Sequence, residues 1–129
     1  MTRLHSAIRY RIEYSTDGKF CFDADIINPI IYILVEGDCE FNGSDIYYSD
    51  RISVRKATLI KNLDKIINPD ESWEYQKRLD SYIEILEKSK SFVSNFQLVP
   101  LTRQYLYDNL KALIEQSDSE SEDIHFAWF

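Results

Sequence analysis

Glycine and proline are both scarce here, three residues each in a chain of 129. The glycines sit in turn contexts such as Asp17-Gly18 and Asn42-Gly43, which leaves no glycine-rich loop to cradle a phosphate. No Gly- or Pro-rich linker divides the chain and no internal repeat is visible, so residues 1–129 read as a single domain. Cysteine is limited to Cys21 and Cys39. Two are too few for a disulfide framework, and both are expected to be reduced and buried as small hydrophobes. Histidine is limited to His5 and His125, near opposite ends of the sequence. With the cysteines they are the only soft metal ligands, and no C-x₂₋₄-C or H-x₃₋₅-H pair joins them, so no zinc site is expected. Nor does their spacing place a base beside a serine or cysteine nucleophile. "DADIINPII" and "DCEFNGSD" lack the alternating oxygen ligands of a calcium loop. The expectation is a chain with no catalytic residues, no metal and no cofactor.

Long apolar runs are missing too. The longest, "PIIYILV", is far short of the roughly 20 residues that span a bilayer. "MTRLHSAIRYR" has no apolar stretch before its charges, unlike a secretory signal. A cytoplasmic protein without a membrane partner is expected. The sequence also lacks a basic excess: 15 Lys and Arg face 22 Asp and Glu, a net charge of −7. That argues against nucleic acid as a ligand and suits a basic protein partner. Five of the acids fall in residues 115–123, which contain no base. Without them, 17 acids oppose 15 bases, so the acidity is largely a local property.

What is present is aromatic and strongly patterned. Ile8, Tyr10, Ile12 and Tyr14 alternate with Arg9, Arg11 and Glu13, the period of a half-buried strand. A turn at Asp17-Gly18 and a second alternation through Phe20, Phe22, Ala24 and Ile26 would complete a hairpin. Asp23 and Asp25 then share a strand face, a place for two metal ligands that reads more simply as the solvated side of an edge hairpin. The β-branched run 30–35 is read as a buried strand, although Asn28-Pro29 and Gly37 are good helix signals. Asn42-Gly43 marks a second hairpin, with "DIYY" in its return strand.

From Ser53 the period becomes helical, with Ser53 as cap and Ala57, Ile60, Leu63 and Ile67 on one face. Asn68, Pro69 and Glu71 open a second helix expected to run to about residue 91, with Tyr75, Leu79, Tyr82, Ile83 and Leu86 inward. Its acids are interrupted by Lys77, Arg78, Lys88 and Lys90, the pattern of a solvated helix rather than of a phosphate mimic. After Pro100 a third helix from about Thr102 carries Leu106, Leu110, Leu113 and Ile114. Strands over about 6–49 and helices over about 53–116 imply an α+β fold, an antiparallel sheet packed by about three helices. The acidic connector 115–123 leads to "IHFAWF", whose alternation reads as a strand over 124–129 that returns to the sheet or adds to a partner.

Tyrosine supplies nine of the 18 aromatic residues, and Tyr and Trp favour protein interfaces. Trp73 lies well off the apolar stripe of its helix, and one of Tyr47 and Tyr48 should face away from a strand's core. The candidate partner-binding residues are therefore Trp73, Tyr47, Tyr48, Asp118, Glu120, Glu122, Asp123 and Trp128. Through "SDSESED" and these aromatics, the profile resembles the immunity proteins that neutralise bacterial toxins, including those of contact-dependent growth inhibition systems. The resemblance is one of overall type and transfers no residue's role. It implies a protein partner, a basic toxin domain such as a nuclease, covered at its active or substrate-binding face. The alternatives are a phage-type inhibitor that mimics nucleic acid and a small metal-dependent enzyme; a homodimer is compatible with each.

Overall fold

A computed structural model describes residues 4–8, 11–13, 24–88, 92–94, 97–99 and 102–128. The fold is α+β. Five antiparallel strands form one sheet: β1 (Leu4–Ile8), β2 (Arg11–Glu13), β3 (Cys39–Phe41), β4 (Arg51–Arg55) and β7 (Asp123–Trp128). Their spatial order is β2-β1-β7-β4-β3. The last strand therefore lies between two segments from the N-terminal half, pairing Ser6↔Phe126 on one side and Ile52↔Phe126 on the other. A separate small hairpin joins β5 (Phe92–Ser94) to β6 (Gln97–Val99), in a stretch where the sequence shows only a break in helical pattern.

Alternation decides which face of the sheet is covered. Ile52, Val54, Ile124 and Phe126 point into the core, while Ser53 and His125 between them point out. Among the described residues the rest of the core comes from four helices, α1 (Ala24–Leu34), α2 (Lys56–Leu63), α3 (Gln76–Lys88) and α4 (Arg103–Gln116), with Val35 after α1 and Ile66 in the 3₁₀ turn after α2.

Several expectations are corrected. The run 30–35 is helix, and so are Ala24, Asp25 and Ile26. Asp25 is thus not on a strand face, and Asp23, the Asp17-Gly18 turn, Phe20, Cys21 and Phe22 lie outside the described residues. The physical reason is burial. Ile27, Ile30, Ile31, Ile33 and Leu34 are all inaccessible because α1 packs against both α2 and α3. The run 30–35 taken alone is too short and too uniformly apolar to show a period; the helical spacing is carried by Asp25, Asn28 and Tyr32 across the whole of α1. It stops where expected: Glu36 and Gly37 take positive φ, and the Gly37 amide donates to the Tyr32 carbonyl at 2.9 Å.

The alternating run expected as one strand over 8–14 is instead divided between β1 and β2, which pair with each other from Ser6↔Glu13 to Ile8↔Arg11, so Ile8 and Ile12 lie on neighbouring strands. The second uses Arg51–Arg55 as return strand, so Tyr47 and Tyr48 fall instead in a 3₁₀ turn, Ile46–Tyr48. Buried Asn28 on α1 secures that turn by donating to the carbonyls of Ile46 and Ser49 at 2.8 and 2.9 Å. Ser53 is in a strand and caps nothing; α2 begins at Lys56 with no side-chain cap. The inward face of α2 is Leu59, Asn62 and Leu63, which leaves Ala57 and Ile60 outside. Helix α3 starts at Gln76 rather than near Pro69, because residues 70–75 are turns closed by Asp70 and Trp73 carbonyls. Its inward stripe is Gln76, Leu79, Ile83 and Leu86, with Tyr82 half-buried at the edge. Helix α4 begins where expected, and Thr102 caps it, its hydroxyl accepting from the Tyr105 amide at 3.1 Å. Arg103 then fastens α4 to α3, donating to the Ile66 carbonyl at 2.9 Å and to Asp80 at 3.0 Å, with Glu87 at 3.4 Å. Cys39 is a half-buried free thiol on an edge strand, not a core residue. Burial, and then the Asp38 carboxylate, push its pKa up, away from a reactive thiolate.

Candidate protein-binding surface

The acidic connector is a built turn. Ser117 ends α4 by donating from its amide and hydroxyl to the Ile114 carbonyl. The Asp118 carboxylate accepts the Glu120 amide at 3.0 Å, and the Ser121 amide returns to the Asp118 carbonyl at 3.2 Å. The Ser121 hydroxyl donates to the Asp123 carbonyl and accepts from its amide. Lys56, the first residue of α2, closes the arrangement: its ammonium donates to the Asp118 carbonyl at 2.6 Å and its amide to the Glu122 carbonyl at 2.9 Å. Backbone bonds and one cation hold together a segment whose side chains repel. Glu115, Glu122 and Asp123 are exposed and make no ion pair with a described residue.

Beside the turn, α2 and α4 form an apolar groove. Ile60 stands in it, 53% exposed. On one side of Ile60 a depression of about 450 Å³ is lined by Arg55, Lys56, Ala57 and Glu122. On the other, one of about 280 Å³ is lined by Leu63, Asp64, Tyr107, Lys111, Ile114 and Glu115. A large aliphatic side chain at the centre of a shallow apolar surface, with carboxylates at both ends, is suited to covering by another protein.

Of the residues expected from sequence, Asp118, Glu120, Glu122 and Asp123 are brought together in this turn. The aromatics are not brought to it. Trp73 is half-buried, its indole donating to Glu36 at 3.3 Å, with the Lys65 ammonium 4.5 Å over its ring and the Tyr75 ring 5.7 Å away. It serves as a packing and hydrogen-bonding residue at the end of α1. Tyr47 is 39% exposed, and its hydroxyl meets that of Tyr82 on α3 at 2.7 Å. That hydrogen bond, and then burial, raise the Tyr82 pKa. The side chains of Tyr48 and Trp128 lie outside the described residues. Ile60, Tyr107 and Ile114 were missed, Ile60 because it was assigned to a buried face. The signal that would have found it is Arg51-Ile52-Ser53-Val54-Arg55, a strict alternation that makes Ser53 a strand residue and moves the helix start to Lys56.

The structure also joins Ser53 and His125, cross-strand neighbours whose Oγ and Nδ1 are 2.7 Å apart. They stand on the open face of the sheet, next to a depression of about 140 Å³ lined by Asp38, Glu40, Arg55 and Asp123. Among the described residues no group of three His, Cys, Asp or Glu side chains is arranged to hold a metal ion, and no helix is long and apolar enough to cross a membrane. Compared with known proteins, the chain matches no family model, no curated protein and no solved structure.

Proposed function

We propose that this chain is a binding protein that neutralises a cognate protein toxin, covering a basic active or substrate-binding face with the α2–α4 groove and its acidic turn. The observation that supports this reading is the turn itself, whose backbone is hydrogen-bonded into one arrangement around Lys56 and places carboxylates at the end of an apolar groove. Fixing charges before association lowers the ordering cost of binding. Carboxylates at the rim speed encounter with a basic partner, while Ile60 and its neighbours supply the apolar centre that slows release.

The test is a growth assay with a matching association measurement. The product of the reading frame immediately upstream is expressed with this chain, and survival is scored. Glu115→Lys with Glu122→Lys should slow association, and that rate should fall steeply with salt in the wild type. Ile60→Asp should speed dissociation instead. Full protection by both variants, or an association rate indifferent to salt, overturns the reading.

A further inference from the structure

Nothing in the sequence places a base beside a serine; the sheet does. Ser53 on β4 and His125 on β7 are 72 residues apart in the chain, yet directly opposed across the two strands, with Oγ and Nδ1 2.7 Å apart. That is within the reach a base needs to take a hydroxyl proton. Both strands are interior to the sheet, flanked by β1 beyond β7 and β3 beyond β4. On the opposite face they are anchored by Ile52, Val54, Ile124 and Phe126, all buried. The pair therefore sits on rigid elements, with His125 exposed and Ser53 half-buried.

Ser53 also borders open space. Glu40 of β3 opposes it from the side away from His125. With Asp38, Arg55 and Asp123, Glu40 and Ser53 line the depression of about 140 Å³. A hydroxyl with a base on one side and a cavity on the other can attack what the cavity holds. The size of the cavity, well under the roughly 300–1,000 Å³ of a drug-sized pocket, restricts the occupant to a small group. Three carboxylates among its lining residues disfavour an anionic one. Arg55 is the one cation of that lining, available to a carbonyl oxygen that gains charge.

We infer that Ser53 and His125 form a nucleophile and base that take acyl groups from small uncharged esters. Ser53 Oγ adds to the carbonyl carbon as its proton passes to His125 Nδ1. The bond from that carbon to the leaving alcohol oxygen then breaks, and the imidazolium returns the proton to it, leaving alcohol and acyl-Ser53. Water repeats the two steps against the acyl-serine, releasing the carboxylic acid and restoring the hydroxyl. Of the residues lining the α2–α4 groove, only Arg55 also lines this depression, so the activity stands whether or not the chain neutralises a toxin.

The experiment treats the full chain with p-nitrophenyl acetate, follows nitrophenolate by absorbance and locates acetyl groups by peptide mass mapping after acid quenching. Wild type should acquire an acetyl group on Ser53 ahead of the other serines. Where water clears it too fast to accumulate, nitrophenolate release that Ser53→Ala abolishes is the same result. His125→Gln should slow the reaction at Ser53 by roughly 100-fold or more. Both side chains lie on the face of the sheet turned from the core, so both variants should melt close to wild type. The wild-type map needs no variant: acetyl groups on lysines alone, with release unchanged in Ser53→Ala, overturn the proposal. So does Ser53 reacting as fast in urea-unfolded chain as in folded chain. A folded His125→Gln that reacts at Ser53 like wild type also overturns it, because the hydrogen bond would then serve the sheet only.

Discussion

Phe126 and His125 are adjacent on β7, yet replacing each by alanine should differ by several kcal/mol. Phe126 is 1% exposed, at the centre of the sheet, opposite Ser6 on one side and Ile52 on the other. Removing its ring forfeits the transfer energy and leaves a cavity, together about 3–5 kcal/mol. With an unfolding entropy of about 2.1 cal/mol/K per residue, that loss lowers the melting temperature by about 11–18 °C in a domain of this size. His125 points the other way, exposed, with the Ser53 hydroxyl at 2.7 Å as its hydrogen-bond partner. Its loss costs no more than about 1 kcal/mol, the net value of one such bond. Thermal melts followed by far-ultraviolet circular dichroism read the contrast directly, and deletion of residues 124–129 sets the limit. Without β7, β1 and β4 lose the strand that joins them, and no cooperative transition should remain. Equal melting temperatures for the two alanine variants, or a truncated chain that melts like wild type, would refute the placement of this strand.

Asn62→Ala should destabilise by about 1–3 kcal/mol in chemical denaturation, because the buried amide that donates to the Leu34 carbonyl at 2.7 Å disappears and leaves that carbonyl unpaired. Gly37→Ala should cost more than Gly43→Ala in the same assay. Both glycines have φ near +80°, but only at Gly37 would the new methyl meet a neighbour, the Tyr32 hydroxyl at 3.2 Å. Tyr47→Phe should bring the Tyr82 titration down toward that of an ordinary tyrosine, followed by tyrosinate absorbance. Because folding raises the Tyr82 pKa above its ordinary 10.0, its contribution to stability is complete below that pH and is lost as pH rises through the folded value. The difference between wild type and Tyr47→Phe should therefore narrow at alkaline pH.

Legibility in the sequence followed from how one-sided each element is. Helix α4 has a cap at Thr102 and one apolar stripe, and it forms where the spacing puts it. Strand β7 alternates over Ile124, His125 and Phe126 as the pattern predicts, and the small Ala127 is buried beside them. The acidic turn was visible as a charge cluster, though not its dependence on Lys56, which lies 62 residues from Asp118. The groove was not legible. Ala57 and Ile60 face solvent because β4 extends to Arg55 and sets the rotation of α2, and that extension depends on pairing with a strand near the other end of the chain. Trp73 shows the same limit: on a helix opening at Pro69 it lies off the apolar stripe, either packed under the preceding helix or exposed, and only the turns at residues 70–75 carry its indole to Glu36.

The sequence by itself determined the α+β class, the sign and location of the charge, and the elements with one apolar face, since each of these depends on neighbours in the chain. Only the tertiary structure decided that the run 30–35 is a central helix, that the C-terminal strand closes the middle of the sheet, and that the groove lies beside the acidic turn. A run as short and uniformly apolar as 30–35 shows no period when read alone, and the face of a helix that stays outside is chosen by what packs against the other face.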